Sequence, residues 1–446
     1  MQFPAHSKTA GFRLCAKCFA KDVVGASGSP RFKSGWPHYK ANALSVQDKP
    51  LVALRYQAIC ARYQRLRTKY KGVSEIVTYK SNKVKLIEAV ATILGTTIGA
   101  GVLGLPYVFS RVGVLSGFVL LFILGGLVLL MNLMLVEISS NTKGVHQLVG
   151  LAEKYLGKPG KVVMIFNFVV GIWGAMTAYL IGESEALSQI FGIKNKLIIL
   201  FLVFFVLSGI VYFGLKLIEE LEIPISFSVI GILLVISLLS FRFSNLQNSL
   251  VFGTSGLFLA FGAIFFSLLS ASAIPEIRIE VSNNRRIFRK AVIIGTIIPI
   301  LIYAVFALSV VSLSGFNTTQ IATIGVGQVL GRTMMILGNI LPVLSMAGAY
   351  LILGQALKDS FVRDLKIRHT VAFLITVLIP LFIVLFISNS FISVISFIGG
   401  LVGGLDALLF ALMYKNLYKN KLSLFGWTKV VLVGVLGVVA ILSIFF

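Results

Sequence analysis

The sequence predicts an all-α integral membrane protein of about eleven transmembrane helices, and three observations carry that prediction. Hydrophobic residues make up 57% of the 446-residue chain and charged residues 13%, with a mean hydropathy of +0.95, a composition that no water-soluble globule presents. Apolar stretches of about 20 residues, the length that crosses a hydrocarbon layer of about 30 Å, recur from Val84 to the end of the chain. The formal net charge of +24 is gathered in the N-terminal tail and in alternate loops, with 17 of the 40 Lys and Arg before residue 86. It therefore reads as a topology signal and not as a nucleic-acid face. The expected surroundings are the lipid bilayer, with no nucleic acid as partner.

Residues 1–83 hold most of the polar sequence and lack the basic start, apolar core and small-residue cleavage site of a secretory signal. They are expected to be a basic, disordered cytoplasmic tail, although Leu51 to Tyr70 has the composition of a basic amphipathic helix suited to an anionic membrane face. Cys15, Cys18 and Cys60 all fall in this tail, so no disulfide staples the membrane part. Their spacing with His38 fits no common zinc module, and neither a metal nor a cofactor is expected.

From Val84 onward, apolar segments run near 84–110, 113–139, 162–190, 196–213, 223–241, 251–274, 288–314, 333–357, 370–388, 391–414 and 426–446. With the N-terminus inside, the inner loops carry Lys143, Lys154, Lys158, Lys161, Lys216, Arg278, Arg285, Arg286, Arg289, Lys290, Lys358, Arg363, Lys366, Arg368, Lys415, Lys419 and Lys421. The outer loops hold Arg111, Lys194, Lys196, Arg242 and Arg332. The positive-inside rule thus gives a multi-pass protein of the cell membrane with its N-terminus cytoplasmic and its C-terminus outside. An odd number of helices in each half makes the halves opposite in orientation: 84–241 forms a first repeat, 251–414 a second, and 426–446 an additional helix 11, all within one transmembrane domain, 84–446.

Each half opens on an interrupted helix. The first reads Gly95-Thr-Thr-Ile-Gly99-Ala-Gly101-Val-Leu-Gly-Leu-Pro106, the second Phe265-Phe-Ser267-Leu-Leu-Ser270-Ala-Ser-Ala-Ile-Pro275. Small residues also permit close helix packing, but paired breaks in opposed halves mark a transport site at the bilayer midplane, because unwound peptide in hydrocarbon survives only where it lines a cavity or is buried in protein. Free amides at the start of an outer half-helix attract a carboxylate, and free carbonyls at the opposed ends attract an ammonium group. An α-amino acid carries both charges. An enzyme is not expected: no cysteine lies beyond Cys60, and His146 and His369 sit in loops.

On Gly95-Thr-Thr-Ile-Gly-Ala-Gly-Val-Leu-Gly-Leu-Pro-Tyr107, on Ser272-Ala-Ile-Pro-Glu276, on Leu357-Lys-Asp359 and on the helix count, the chain from Val84 to Phe446 resembles the amino acid/auxin permease family. The resemblance includes the family's tryptophan and tyrosine permease branch, within the amino acid, polyamine and organocation superfamily. It implies a leucine-transporter-type five-plus-five inverted repeat and a secondary active transporter of amino acids, aromatic or otherwise neutral, working by alternating access on a proton or sodium gradient. A sensor that binds amino acids without net transport would use the same fold. The substrate is expected at Thr97, Ile98, Gly99, Ala100, Gly101 and Val102 and at Phe266, Ser267, Leu268 and Ser270. The resemblance implies a sodium site at the carbonyls of Gly95 and Ile98 with hydroxyls from helix 8. That helix reads Ser345-Met-Ala-Gly348-Ala349-Tyr350, leaving Ser345 as the nearby hydroxyl. The lysine that replaces the ion in some proton-coupled members is absent from 223–241, so a membrane carboxylate would serve. Among Glu88, Glu183, Glu185 and Asp406, the favoured residue is Glu183.

Overall fold

The computed structural model describes residues 82–144, 146–213, 217–244, 256–281, 284–363, 365–387, 390–418 and 422–445. The expectations for the tail, its cysteines and its amphipathic stretch lie outside these residues. The chain divides into Met1–Tyr79 and Lys80–Phe446, and the second unit is the one described here.

Hydrocarbon offers the backbone no partner, so each apolar stretch closes its own hydrogen bonds as a helix. The first half contains α1 (Asn82–Thr97), α2 (Gly101–Val112), α3 (Val114–Asn141), α4 (Leu148–Phe191), α5 (Lys196–Phe213) and α6 (Leu217–Arg242). The second contains α7 (Leu257–Leu268), α8 (Ala273–Glu280), α9 (Arg285–Ser314), α10 (Ala322–Leu330), α11 (Arg332–Arg363), α12 (His369–Phe382), α13 (Phe391–Ile398) and α14 (Gly404–Leu417), followed by α15 (Leu424–Leu442). Among the described residues nine helical stretches are each long and apolar enough to cross a bilayer, and the α1–α2 pair, bent by 58°, adds a tenth. The 26-residue α6, whose Ser228–Arg242 stretch is apolar, takes the eleventh place.

The packing carries the internal repeat. Exchanging α1/α2 with α7/α8, α3 with α9, α4 with α11, α5 with α12, and α6 with α13/α14 maps one set of neighbours onto the other. Thus α1 packs on α9 as α7 packs on α3, and α1 meets α6 as α7 meets α13. The α6–α9 pair likewise mirrors α14–α3, α4–α5 mirrors α11–α12, and the central pairs α3–α9 and α4–α11 map onto themselves. α15 lies outside this exchange and packs on α14 and α3.

Three details differ from the sequence expectation. The third span, expected at 162–190, extends back to Leu148, and non-helical Gly157 (φ 72°) divides it into a short leading helix and the span proper. The positive φ there is one glycine adopts without a Cβ penalty. The connection before α11 folds as α10. Finally, α13 and α14 are joined through a π-helical turn, Gly399–Gly403, where a Cβ on Gly399 would collide with the Gly262 carbonyl of α7 and one on Gly400 would come within 2.8 Å of the Ala440 carbonyl of α15. Glycine in this turn is what lets three helices meet.

Candidate functional site

The first break runs from Ile98 to Ala100. Ile98 and Ala100 are buried, and a Cβ built on Gly99 would meet no atom within 4 Å. Among the described residues no backbone carbonyl accepts from the amides of Ala100, Gly101 or Val102, and no side chain caps the start of α2. The half-helix therefore presents bare N–H groups and its positive end to the gap. Gly101 sits against α7: a Cβ there would lie 2.6 Å from Ser267 Oγ and 3.0 Å from Ser267 Cα. Only glycine allows that approach.

The second break falls at Leu269–Ser272, within the expected interrupted stretch, because α7 continues through Leu268. Phe266, Ser267 and Leu268 form the last helical turn and contribute carbonyls, while Ser270 lies in the break and is buried. α8 starts without a side-chain cap, and no backbone carbonyl among the described residues accepts from the amides of Ser270, Ala271 and Ser272. The two prolines are out of register: Pro106 lies inside α2 and Pro275 in the first turn of α8.

Two buried side chains from α3 and α9 tie the breaks together. Tyr303 of α9 donates its hydroxyl to the Thr97 carbonyl at 2.8 Å and to the Ser267 carbonyl at 3.1 Å, bridging the ends of α1 and α7. Asn132 of α3 donates to Ser270 Oγ at 3.1 Å and to Thr296 Oγ1 of α9 at 3.3 Å. Its Oδ1 is buried with no partner. Sequence reasoning passed over both. The available signal was Asn132 itself, a lone amide in the apolar run Leu129-Leu-Met-Asn-Leu-Met-Leu135, since a polar side chain at membrane depth needs a reason.

Of the four residues expected to couple an ion, Gly95 lies on α1 and Ile98 just beyond its end, Ser345 lies on α11 and Glu183 on α4. Ser345 on α11 makes no hydrogen bond with Gly95 or Ile98 among the described residues, and the principal neighbours of α1 are α9, α8 and α6, whereas those of α11 are α4, α10 and α6. Glu183 of α4 is 2% exposed, with Oε1 unpartnered. Glu185, two residues on and so on another face, pairs with Lys196 at 2.9 Å. Asp406 is also buried, but it accepts from Asn167 Nδ2 at 2.8 Å. Glu137 accepts from Tyr414 and Tyr418 at 2.7 and 3.0 Å and pairs with Lys429 of α15 at 3.1 Å. Phe265 is core: it fills the space over Gly403.

This arrangement of helices recurs in solved structures. The inward-facing conformation of Mhp1 matches with a TM-score of 0.57 at 12% identity, covering 80% of this chain and 89% of that one. Mhp1, a nucleobase-cation-symport-1 family transporter, in a closed conformation with bromovinylhydantoin bound, matches at 0.52 and 12% identity, over 80% and 92%. Among curated proteins, glutamine transporter 2 of Aliivibrio fischeri is 25% identical over 326 residues, 70% of this chain and 84% of its own. Tyrosine-specific transport system 2 of Haemophilus influenzae is 29% identical over 246 residues, 51% of this chain and 58% of its own. The fold is thus that of the leucine-transporter type, two inverted five-helix repeats with helices 1 and 6 broken. The family model for tryptophan/tyrosine permeases matches residues 82–445, so the chain, a multi-pass membrane transporter and not an enzyme, belongs to the tryptophan/tyrosine permease family.

Proposed function

We propose that this protein is a secondary active transporter of the cell membrane that carries a neutral amino acid by alternating access, with its N-terminus cytoplasmic and its C-terminus outside. The reading groups it with the amino acid, polyamine and organocation carriers. The observation that carries it is the pair of uncapped half-helix starts at Gly101 and Ala273, with Gly101 packed on Ser267 at the end of α7. The bare amides of Gly101 and Val102 receive the substrate carboxylate. The carbonyls of Ile98 and Leu268, which accept no backbone hydrogen bond among the described residues, receive the ammonium group. A zwitterion then satisfies both ends without a charged side chain. Names of relatives support tyrosine and glutamine as the first substrates to try.

A proton is the preferred coupling ion, with Glu183 as its carrier. A buried carboxylate without a donor is costly when charged, so its protonation state is readily tied to the conformation that exposes it. Sodium at Gly95, Ile98 and Ser345 is the alternative, and imposing proton and sodium gradients separately distinguishes the two. Purified protein in liposomes is expected to accumulate labelled tyrosine or glutamine under an imposed inward proton gradient. Failure to accumulate or exchange any proteogenic amino acid would sink the reading, and binding without transport would make the protein a sensor.

A further inference from the structure

Tyr303 stands where a cation would be expected. Two broken helices end with their carbonyl oxygens, the negative ends of two half-helix dipoles, turned toward each other. In a dry interior such oxygens need a donor or a positive ion, and the Gly99 amide, which donates to the Thr97 oxygen at 3.1 Å, meets only part of that need. Here the hydroxyl of a fully buried tyrosine reaches both, at 2.8 and 3.1 Å. Its placement is built into α9. A Cβ on Gly295 would lie 2.7 Å from Ile93, so glycine lets α9 press against α1. Thr296 and Tyr303, seven residues and two helical turns apart, face the same side, one toward Asn132 and the other toward the carbonyls.

We propose that the Tyr303 hydroxyl is a fixed substitute for an alkali cation at the junction of the two breaks, so that substrate binds there without such an ion, and that shortening this side chain opens a sodium site at the Thr97 and Ser267 carbonyls. The phenol supplies one proton to two oxygens and cannot leave, whereas a bound ion could be exchanged or released into the cell. The junction thereby becomes structural, and the ion that drives transport must act elsewhere. This inference rests on the amino-acid reading for its meaning in transport, but the sodium site can be tested without any amino acid.

The test uses the full-length protein in detergent and compares wild type, Tyr303→Phe and Tyr303→Ser in sodium, lithium and choline chloride at constant ionic strength. Thermal unfolding of Tyr303→Ser is expected to shift upward by roughly 2–4 °C in sodium relative to choline, with a smaller shift in wild type or Tyr303→Phe, where the ring still fills the space. Equilibrium binding of labelled tyrosine or glutamine to Tyr303→Ser should strengthen about 10-fold in sodium or lithium, a gain that a merely structural role for Tyr303 would not produce. Tyr303→Asn provides the same comparison should the serine variant fail to purify. A sodium response in the shortened variants no larger than in wild type overturns the proposal. If wild type binds no amino acid while Tyr303→Ser still gains sodium-dependent stability, the transport reading fails and the cation substitution stands.

Discussion

Between Thr97 and Gly101 the chain opens on glycine, whereas between Leu268 and Ala273 it opens on serine, and the two breaks are held by different forces. The first is defined by closeness: Gly101 has no room for a Cβ beside Ser267. The second is defined by bonding, with Ser270 hydrogen-bonded to Asn132. Tyr303 reaches the last turn on each side. The difference teaches that added volume should disable the first break and lost polarity the second, and substitutions at matching positions separate the two effects.

The largest effect is expected from Gly101→Val. Overpacking a filled site costs about 1–3 kcal/mol even where neighbours can yield, and here one neighbour is the backbone of α7, so α2 must move away from it. Uptake of labelled tyrosine or glutamine into liposomes, normalised to monodisperse protein, should fall by about 100-fold, since each 1.4 kcal/mol is a factor of ten and both breaks are displaced together. Retention of half the wild-type rate would show that the close approach is dispensable.

A similarly informative contrast lies away from the breaks. Glu183→Gln fixes the neutral form of an unpartnered buried carboxylate, whereas Asp406→Asn alters one that already has Asn167 as donor. Glu183→Gln should lower proton-driven accumulation at least about 10-fold while counterflow exchange stays within about 2-fold, because exchange needs no net proton movement. Asp406→Asn should change accumulation less. Equal loss in both variants, or unchanged accumulation in Glu183→Gln, removes Glu183 from the coupling role.

For the serine break the sharpest change is Asn132→Leu, which removes the donor to Ser270 and Thr296 together. Leaving buried partners unsatisfied costs about 1–3 kcal/mol, so substrate affinity should weaken about 10-fold. Ser270→Ala keeps the Asn132–Thr296 bond and should weaken it by only about 3-fold, toward the lower end of a single hydrogen bond's contribution. Scintillation-proximity binding would read both, and a Ser270→Ala loss larger than that of Asn132→Leu would place the substrate on the Ser270 hydroxyl itself.

The same contrast explains what the sequence could reveal. Hydropathy exposes the spans because crossing the hydrocarbon layer takes about 20 predominantly apolar residues in a row, and Gly99-Ala-Gly101 announces the first break because glycine is costly in a helix interior. The second break is harder to place because Phe266, Ser267 and Leu268 are tolerated in a helix, and nothing local fixes where the turn ends. The Gly157-Lys-Pro-Gly160 run did carry the boundary of the third span. Tyr303 and Asn132 were hidden for another reason: their partners lie on other helices, as far as 206 residues away, and only the packing of α3 and α9 against the breaks brings them together.

The smallest effect should come from Gly99→Ala, and it is the most direct probe of where substrate sits. The added methyl meets no atom within 4 Å, and Gly99 does not require a positive φ, so replacing glycine with alanine should leave the thermal midpoint unchanged or slightly raised, through the less flexible unfolded chain. The same methyl enters the gap between the half-helices. If the amino-acid backbone lies there, affinity should fall about 5-fold with no loss of stability, since a small clash at a ligand is about 1 kcal/mol. An affinity equal to wild type would move the substrate off Gly99 and onto the serine side of the junction.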